Sequence, residues 1–205
     1  VIVVSALAVH APPPDAITVA VEAPGVTNYS ETPITVMPLR LRFSAPVATL
    51  ESVGAEEGSA KAVEGLTLKP ALAGRWAFEV VARRVCTPAA DWPVGQGYEV
   101  ALDAEKALAP DRVLAETRFA FETAPFVAGI DSAEFYQDPE SAGLKRAVWA
   151  FTFSHPVDAD ALRSRLSTTA VDGADRSLAA PPIEVRFDEP GLKAWVQTCL
   201  LYTSR

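Results

Sequence analysis

The chain has few of the residue types that most often carry out chemistry. Its 205 residues include two histidines, two cysteines and one methionine. Because His10 and His155 are the only histidines, a cysteine or serine nucleophile would have almost no choice of base. The sequence also lacks a P-loop, a glycine-rich nucleotide turn, a zinc-ligand spacing and a Ser/His/Asp set. We therefore predict no catalytic residues, no metal site and no bound cofactor, and we expect that the protein is not an enzyme.

Basic residues and long apolar runs are also scarce. Eighteen Lys and Arg stand against 26 Asp and Glu, so the formal net charge is −8. A surface of that sign repels phosphates, and we expect no nucleic-acid partner. No stretch of about 20 apolar residues is present, so we predict no transmembrane helix.

The acidic residues between 138 and 175 do not form a D-x-D-x-D-G calcium loop, and "VDGADRS" at 171–177 is more typical of a hairpin turn.

Residues 1–16 resemble the remnant of a secretory signal followed by a proline-rich linker. "VIVVSALAVHA" has the length of an apolar signal core and ends in a small-x-Ala pattern, and Pro12–Pro14 follow it. No initiator methionine and no basic residue precede it. We interpret the segment as a trimmed secretory signal, with an ordinary first strand as the alternative. This interpretation predicts a secreted protein of the periplasm or cell envelope.

The last seven residues, 199–205, have the features of a non-native tail. "CLLYTS" at 199–204 resembles one reading frame of a transposase end sequence that is used to build sequencing libraries. We therefore expect the native sequence to be recorded only to about Thr198, so that Cys199 is not a native residue. Cys86 then becomes a single thiol, and we predict a small buried hydrophobic residue rather than a nucleophile.

One sequence pattern occurs twice, 110 residues apart. "FSAPV" stands at 43–47 and "FSHPV" at 153–157. In the strand that leads to each motif, every second residue is large and apolar: Leu39, Leu41 and Phe43 in the first copy, Trp149, Phe151 and Phe153 in the second. The proline of each motif has no backbone N–H, so we predict that the strand ends there. The spacing is that of a small β-domain, and the sequence therefore predicts one structural module built twice.

The remaining residues predict further short strands. Alternating patterns occur at 65–70, 74–85, 98–102 and 118–122, with proline and glycine turns between them, and Trp76, Phe78 and Val80 are expected on one inward face. One short helix is predicted in "DADALRSRL", capped by Asp158 or Asp160. The predicted fold is all-β: two tandem immunoglobulin/fibronectin-like antiparallel β-sandwich domains at 17–125 and 126–198. Counterparts of "DWPVGQGYEVAL" and "RFAFET" are missing from the second domain, so we expect it to be incomplete, with an open sheet edge and part of its core exposed.

Two groups of side chains could still form a site, and a structural role is the better interpretation of each. His155 stands where the first copy has Ala45, so we predict a solvent-facing histidine at a strand end rather than a ligand or base. The four tryptophans could form a sugar-stacking platform, but Trp76 and Trp149 are in phase with core residues. "NYS" at 28–30 fits the N-glycosylation pattern, which is a three-residue signal of low specificity.

The order of these motifs resembles the N-terminal macroglobulin domains of bacterial alpha-2-macroglobulins. The resemblance covers about residues 33–170 and is carried by "RFSAPV", "LTLKPALAGRWAF", "DWPVGQGYEVAL", "FAFET", "EFYQDP" and "VWAFTFSHPVD". It implies macroglobulin-type sandwiches in a large periplasmic protease trap, often anchored by a lipid. In that family a protease cuts an exposed bait region and is then enclosed, and in many members a Cys-x-Glu-Gln thioester bonds it. These residues contain no Cys-x-Glu-Gln, since Thr87 and Pro88 follow Cys86.

The resemblance implies that these domains are scaffold. Its implied partners are target proteases, bound through the full-length protein, neighbouring macroglobulin domains of the same chain, and the peptidoglycan-synthesis machinery. Two other classes of function stay open on the sequence alone. An immunoglobulin-like module of a bacterial surface adhesin or polysaccharide-associated protein predicts further repeats without a bait region. An accessory domain of a secreted enzyme predicts a downstream catalytic domain.

Overall fold

The computed structural model describes residues 15–48, 65–108, 112–137, 139–140, 144–171, 176–199 and 201–202. Strand residues make up 46% and helical residues 7%, and the strands pair in antiparallel sheets. The predicted all-β, immunoglobulin-like sandwich is therefore confirmed. Most of the signal remnant and the Asp-Gly turn at 172–173 lie outside the described residues. In the part of the chain that the structure describes, no helix is long and apolar enough to cross a membrane.

The chain divides into two compact units. The first runs up to Gly25 and continues from Val36 to Ala124, and the second contains Val26–Thr35 together with the residues from Pro125 onward. Nothing in the sequence pattern indicated that Val26–Thr35 groups with the second unit. The predicted ranges 17–125 and 126–198 stay a prediction.

The first unit contains two antiparallel sheets. Its strands and single helical turn are β1 Val19–Glu22, β2 Leu39–Phe43, β3 Leu66–Lys69, β4 Gly74–Val80, β5 Arg83–Pro88, β6 Gly97–Leu102, α1 Ala104–Ala107 and β7 Arg118–Glu122. One sheet has the order β1-β2-β5-β4, and the other has the order β3-β6-β7.

The core of the first unit lies between these two sheets. Leu39 and Leu41 of β2 are both 0% exposed, whereas Arg40 and Arg42, which alternate with them, point outward, as the alternation predicted. The second sheet contributes Val100, also 0% exposed, to the same cluster. Each fully buried side chain of this size contributes about 1.5–3 kcal/mol relative to an exposed one, so the facing of the two sheets is a main source of stability.

The segment 74–85 differs from the prediction of one continuous inward face. It forms a hairpin in which β4 and β5 are joined at Val81–Ala82. The register shifts between Phe78 and Val80, and Val80 is 44% exposed. An extra residue in one strand turns the following side chain to the other face, so placing Val80 inward was wrong.

The second unit is built around one larger sheet. Its elements are β8 Ala128–Gln137, β9 Leu144–Phe153, α2 Ala159–Arg165, β10 Ala170–Val171, β11 Ser177–Leu178, β12 Ile183–Phe187, β13 Lys193–Thr198 and β14 Leu201–Tyr202. The strand order is β12-β13-β9-β14, and β8 also pairs with β9. The predicted helix is confirmed, and Asp158 caps it by accepting a hydrogen bond from the Ala161 backbone N–H at 2.7 Å.

The repeat seen in the sequence extends to the pairing of the strands. The order β8-β9-β13-β12 of the second unit matches β1-β2-β5-β4 of the first. The register is also kept, because Leu39 pairs with Cys86 and Trp149 pairs with Val196, and both members of the second pair lie 110 residues later. Among the described residues, the second unit has only the two-residue strands β10 and β11 beside this sheet, with no counterpart of the three-stranded sheet β3-β6-β7.

Candidate functional site

The Ser-x-Pro motif of the first unit forms a corner that joins three strands. The Ser44 backbone N–H donates to the Thr18 carbonyl oxygen at 3.0 Å, and Ser44 Oγ accepts from the Thr18 N–H at 3.1 Å. The Phe43 and Val47 N–H groups donate to carbonyls of the β4–β5 turn at 2.8 and 2.9 Å. Pro46 has no N–H to satisfy, so the chain leaves the sheet here without an orphaned donor.

The second unit repeats this corner bond for bond. The Ser154 N–H donates to the Val127 carbonyl oxygen at 2.9 Å, and Ser154 Oγ accepts from the Val127 N–H at 2.8 Å. The Phe153 and Val157 N–H groups donate to the carbonyls of Leu192 and Gly191 at 2.8 and 3.0 Å. The FSxPV motif therefore has the same structural role in both units. Its serine exchanges two hydrogen bonds with the backbone of the neighbouring strand, and the strand ends at the motif.

His155 is the one residue of the FSxPV motif that differs between the copies. It is only 9% exposed, so the prediction of a solvent-facing histidine is wrong. The ring of Tyr29 meets it edge-on with centroids 6.1 Å apart, and the ring of Phe126 lies 6.5 Å away. These contacts bury a position at which the first unit has the half-buried Ala45.

Ser154 and His155 are joined by a side-chain hydrogen bond at the end of β9. Ser154 Oγ lies 2.9 Å from His155 Nδ1. The same oxygen also accepts the Val127 N–H at 2.8 Å, so the hydroxyl is held between the backbone and the imidazole. A hydroxyl that is fixed to backbone and packed at a strand end acts as a structural bridge, and the sequence-based expectation of no catalytic role stays a prediction.

The other chemically reactive side chains lie apart from each other. Cys86 is 2% exposed, and burial raises the pKa of its thiol to about 11, so it is a buried hydrophobic residue, as predicted. Within the described ranges, no three His, Cys, Asp or Glu side chains come together as metal ligands. Trp76 packs against the core of the first unit, as its phase predicted, and Trp92 is buried while its Nε1–H donates to the Met37 carbonyl at 2.7 Å.

The outer face of the first unit's larger sheet carries cross-strand ion pairs. Arg42 Nη2 lies 3.0 Å from Glu22 Oε1, and Glu79 Oε2 lies 3.1 Å from Arg83 Nη1 and 3.7 Å from Arg40 Nε. Exposed pairs of this kind contribute only about 0–1 kcal/mol each. Their more important effect is to keep the sheet face charged, which disfavours stacking on other sheets.

The corresponding sheet of the second unit has an apolar face that is only partly covered. We define the open face by four residues that line one cavity of about 260 Å³: Ile130, Trp149, Phe151 and Ile183; Val196 also lines this cavity but is only 3% exposed. Trp149 and Phe151 hold the positions of Leu39 and Leu41, but they are half-buried rather than fully buried. Ile130 is 63% exposed, while its counterpart Val21 in the first unit is half-buried. Over the described residues this face is therefore less fully covered than its counterpart in the first unit, and the incompleteness of the second sandwich stays a prediction.

Known proteins resemble this chain in sequence. The "Alpha-2-macroglobulin homolog" of Yersinia pestis is 31% identical over 180 residues, which cover 88% of this chain and 9% of that protein. The "Alpha-2-macroglobulin" of Pasteurella multocida (strain Pm70) is 33% identical over 180 residues, which cover 84% of this chain and 9% of that protein. The chain thus spans about a tenth of the length of the curated relatives that it matches.

Comparisons with family models and with solved structures add little. No protein-family model matches the chain. An L,D-transpeptidase from Mycobacterium smegmatis superposes with a TM-score of 0.33 and 17% identity, over 91% of this chain and 76% of that one. A superposition with that score supports neither a shared fold nor a shared activity.

Proposed function

Because this chain belongs to the bacterial alpha-2-macroglobulin family, we propose that its two units are scaffold domains of a broad-spectrum protease inhibitor. In the full-length protein they would hold a bait region and an enclosing surface in place, while the inhibitor traps a protease after bait cleavage. They would take no chemical part in that step and would not act as an enzyme.

The observation that carries this proposal is the repetition of the sheet and its corner. The pairing of Leu39 with Cys86 recurs as Trp149 with Val196, and the reciprocal serine bond recurs at Ser44 and Ser154. A module that is repeated with its hydrogen bonds intact fits a rigid supporting role.

The proposal extends to the cellular setting and the partners. The signal-like pattern of residues 1–16 supports a periplasmic or cell-envelope location, with a lipid anchor as the proposed attachment. The proposed partners are target proteases, the neighbouring macroglobulin domains of the same chain, and the peptidoglycan-synthesis machinery. Covalent capture through a thioester would require a Cys-x-Glu-Gln outside these 205 residues.

The test is an inhibition assay on the full-length protein expressed from the source gene. A protease that has been trapped inside a large protein should still cleave a small chromogenic peptide, whereas its cleavage of a protein substrate should fall by about tenfold or more, because only the large substrate is excluded. Leu41→Asp, which places a charge in the core of the first unit, should abolish this difference. Arg42→Asp on the outer face of the same strand is the matched control and should retain it.

Equal loss of cleavage for both substrates would indicate an active-site inhibitor, and no loss for either would contradict protease inhibition. The isolated 205-residue chain should inhibit neither reaction, since it supplies scaffold alone.

A further inference from the structure

β8 is an edge strand of the second unit's sheet, and one of its sides has no partner strand. It spans the ten residues Ala128–Gln137 and, among the described residues, pairs only with β9. β12 forms the opposite edge of this sheet, but it is partly covered, because Arg163 Nη2 donates to the Val185 carbonyl oxygen at 3.3 Å. An uncovered strand edge presents a row of N–H and C=O groups that can pair with a further strand.

The register shows which residues of β8 direct their backbone groups away from β9. At the end of β9, the Phe153 N–H donates to the Leu192 carbonyl oxygen at 2.8 Å, whereas the Ser154 N–H donates to the Val127 carbonyl oxygen at 2.9 Å. Directions alternate along a strand, so odd-numbered residues of β9 face β13 and even-numbered residues face β8. The β8 residues opposite odd-numbered residues therefore direct their N–H and C=O groups outward. We define the free edge as these groups of three central residues: Ile130, Ala133 and Phe135.

The same three residues place exposed side chains on one face beside the free edge. Ile130 is 63% exposed, Phe135 is 62% exposed, and Ala133 is also exposed. They share this face with the β9 residues Phe151 and Trp149, because residues directly opposite each other in a sheet lie on the same face. A strand added at the free edge would cover these side chains with its own apolar residues at alternate positions.

The charged residues of β8 are both acidic. Asp131 lies at the bulge of the strand and Glu134 follows it, and both are exposed. Neither takes part in the ion pairs of the described residues. The cations of β9, Lys145 and Arg146, lie opposite the last two residues of β8. A partner strand with Lys or Arg on the face of Glu134 would therefore place opposite charges side by side.

A basic peptide fits this edge better than a second copy of the chain does. Two copies of β8 would bring like carboxylates together, and each copy has a formal net charge of −8. A bulge and unpaired charges protect an edge strand from pairing with itself, but they permit a partner of opposite charge.

We propose that β8 binds an extended peptide segment of a partner protein as an added antiparallel strand. The segment alternates apolar residues, which lie on the face of Ile130 and Phe135, with Lys or Arg on the face of Glu134. Backbone hydrogen bonds to the free edge provide the affinity, and the alternation of apolar and basic residues provides the selectivity. This binding is independent of the proposed inhibition of proteases, and no readout below uses a protease.

The first test measures binding of a fluorescent peptide that alternates Val and Lys over about nine residues, by fluorescence anisotropy with the 205-residue chain. N-methylation of the Val residues removes the N–H groups that face β8, and it should weaken binding at least about tenfold. N-methylation of the Lys residues, whose N–H groups face away, is the matched control and should change binding less than about twofold. The peptide with Glu in place of Lys should bind at least about tenfold more weakly than the Lys peptide.

The second test changes the protein. Ala133→Pro removes one N–H of the free edge, and it should weaken binding of the Lys peptide at least about tenfold, whereas Ala133→Val retains the N–H and should bind normally. Glu134→Lys should weaken binding of the same peptide about fivefold, whereas Glu184→Lys makes the same change in net charge on β12 and should have little effect. Far-UV circular dichroism shows whether each variant is folded, and the N-methylated peptides test strand addition on the unaltered chain.

Equal binding of the two N-methylated peptides would overturn the proposal, and so would equal binding of the Lys and Glu peptides or no binding of either. A chain that sediments as a dimer, with the amides of Ala133 and Phe135 protected from exchange before peptide is added, would show that a second copy occupies the free edge, which also overturns it.

Discussion

At the scale of single residues, the two copies show what a periodic pattern can and cannot predict. The inward positions Leu39 and Leu41 were predictable because strand side chains alternate with a fixed period. The burial of His155 was not, since it depends on Tyr29, which lies far away in the chain, and on Phe126. A local pattern gives the face of a residue within its strand, but it does not identify which distant segment covers the strand's end.

The two cysteines should differ strongly in reactivity. Cys199 is exposed, whereas Cys86 is buried with its pKa raised to about 11, so at pH 8 Cys86 should react with a thiol reagent at least about 100-fold more slowly than an ordinary thiol. Labelling with a chromogenic disulfide should give one fast thiol in the native protein and two after unfolding in urea. Cys199→Ser is the control and should remove the fast phase.

The raised pKa of Cys86 also gives a stability effect with a definite sign. The folded protein retains this proton above the ordinary thiol pKa of 9.0, at which the unfolded chain releases it, so the contribution is full below pH 9 and is lost as the pH rises toward 11. In the labelling experiment, two fast-reacting thiols in the native protein would contradict the burial of Cys86.

At the scale of elements, the strands were predictable and their irregularities were not. β2, β6 and β7 have the alternation that the sequence showed, and the two Ser-x-Pro motifs directly follow the ends of β2 and β9. The shift between Phe78 and Val80 has no residue signature, because a bulge is a property of the backbone pairing. The reciprocal bond of Ser44 with Thr18 was also missed, since it joins residues of different strands.

The turn that meets the second corner depends on a glycine. Gly191 has φ of +74°, and a Cβ there would lie 3.1 Å from the Val157 carbonyl oxygen. Gly191→Ala should therefore lower the free energy of unfolding of the second unit by about 1–3 kcal/mol. Gly129→Ala is the matched control, since its nearest contact is Thr152 Oγ1 at 3.4 Å and its φ is not positive; it should cost less than 1 kcal/mol. Equal losses of stability in urea titrations would contradict the strained-turn interpretation.

Equivalent core positions in the two units should respond differently to truncation. Leu41→Ala should cost about 2–5 kcal/mol, because its side chain is fully enclosed between two sheets. Phe151→Ala removes a larger side chain at the equivalent position, yet it should cost less than the 3–5 kcal/mol typical of a buried phenylalanine because its face is open. Chemical denaturation of both variants, followed separately in each unit by an NMR reporter, measures the two losses. A larger loss for Phe151→Ala would show that its face is covered.

At the scale of the whole molecule, the number of modules was predictable and the course of the chain was not. Two similar motifs 110 residues apart predicted a tandem fold, and the matched registers of Leu39–Cys86 and Trp149–Val196 support one module built twice. The segment Val26–Thr35 groups with the second unit although it lies between β1 and β2 of the first. Composition and periodicity are local properties, and they carry no information on such an excursion.

The inner sheet faces of the two units differ in burial, and this should appear as a difference in the rate of amide hydrogen exchange. The inward side chains of β2 are 0–4% exposed, whereas those of the equivalent β9, Trp149, Phe151 and Phe153, are half-buried. We expect β9 to exchange at least about tenfold faster than β2, because opening the second unit exposes less additional apolar surface. Peptide-resolved exchange by mass spectrometry measures this ratio, and equal protection of the two strands would contradict it.

The two units differ in the sizes of the side chains at one pair of equivalent positions. This difference affects the packing that would result if strands were exchanged between the units during folding. Leu41 pairs with the large Arg84 in the first unit, and the larger Phe151 pairs with the small Ala194 in the second. If β5 and β13 exchanged places between neighbouring copies of the module, Phe151 would meet Arg84 and overfill one core, while Leu41 would meet Ala194 and leave a void in the other. Tandem domains with the same topology are prone to such misassembly. Exchanging the two strands should therefore cost packing energy in both units.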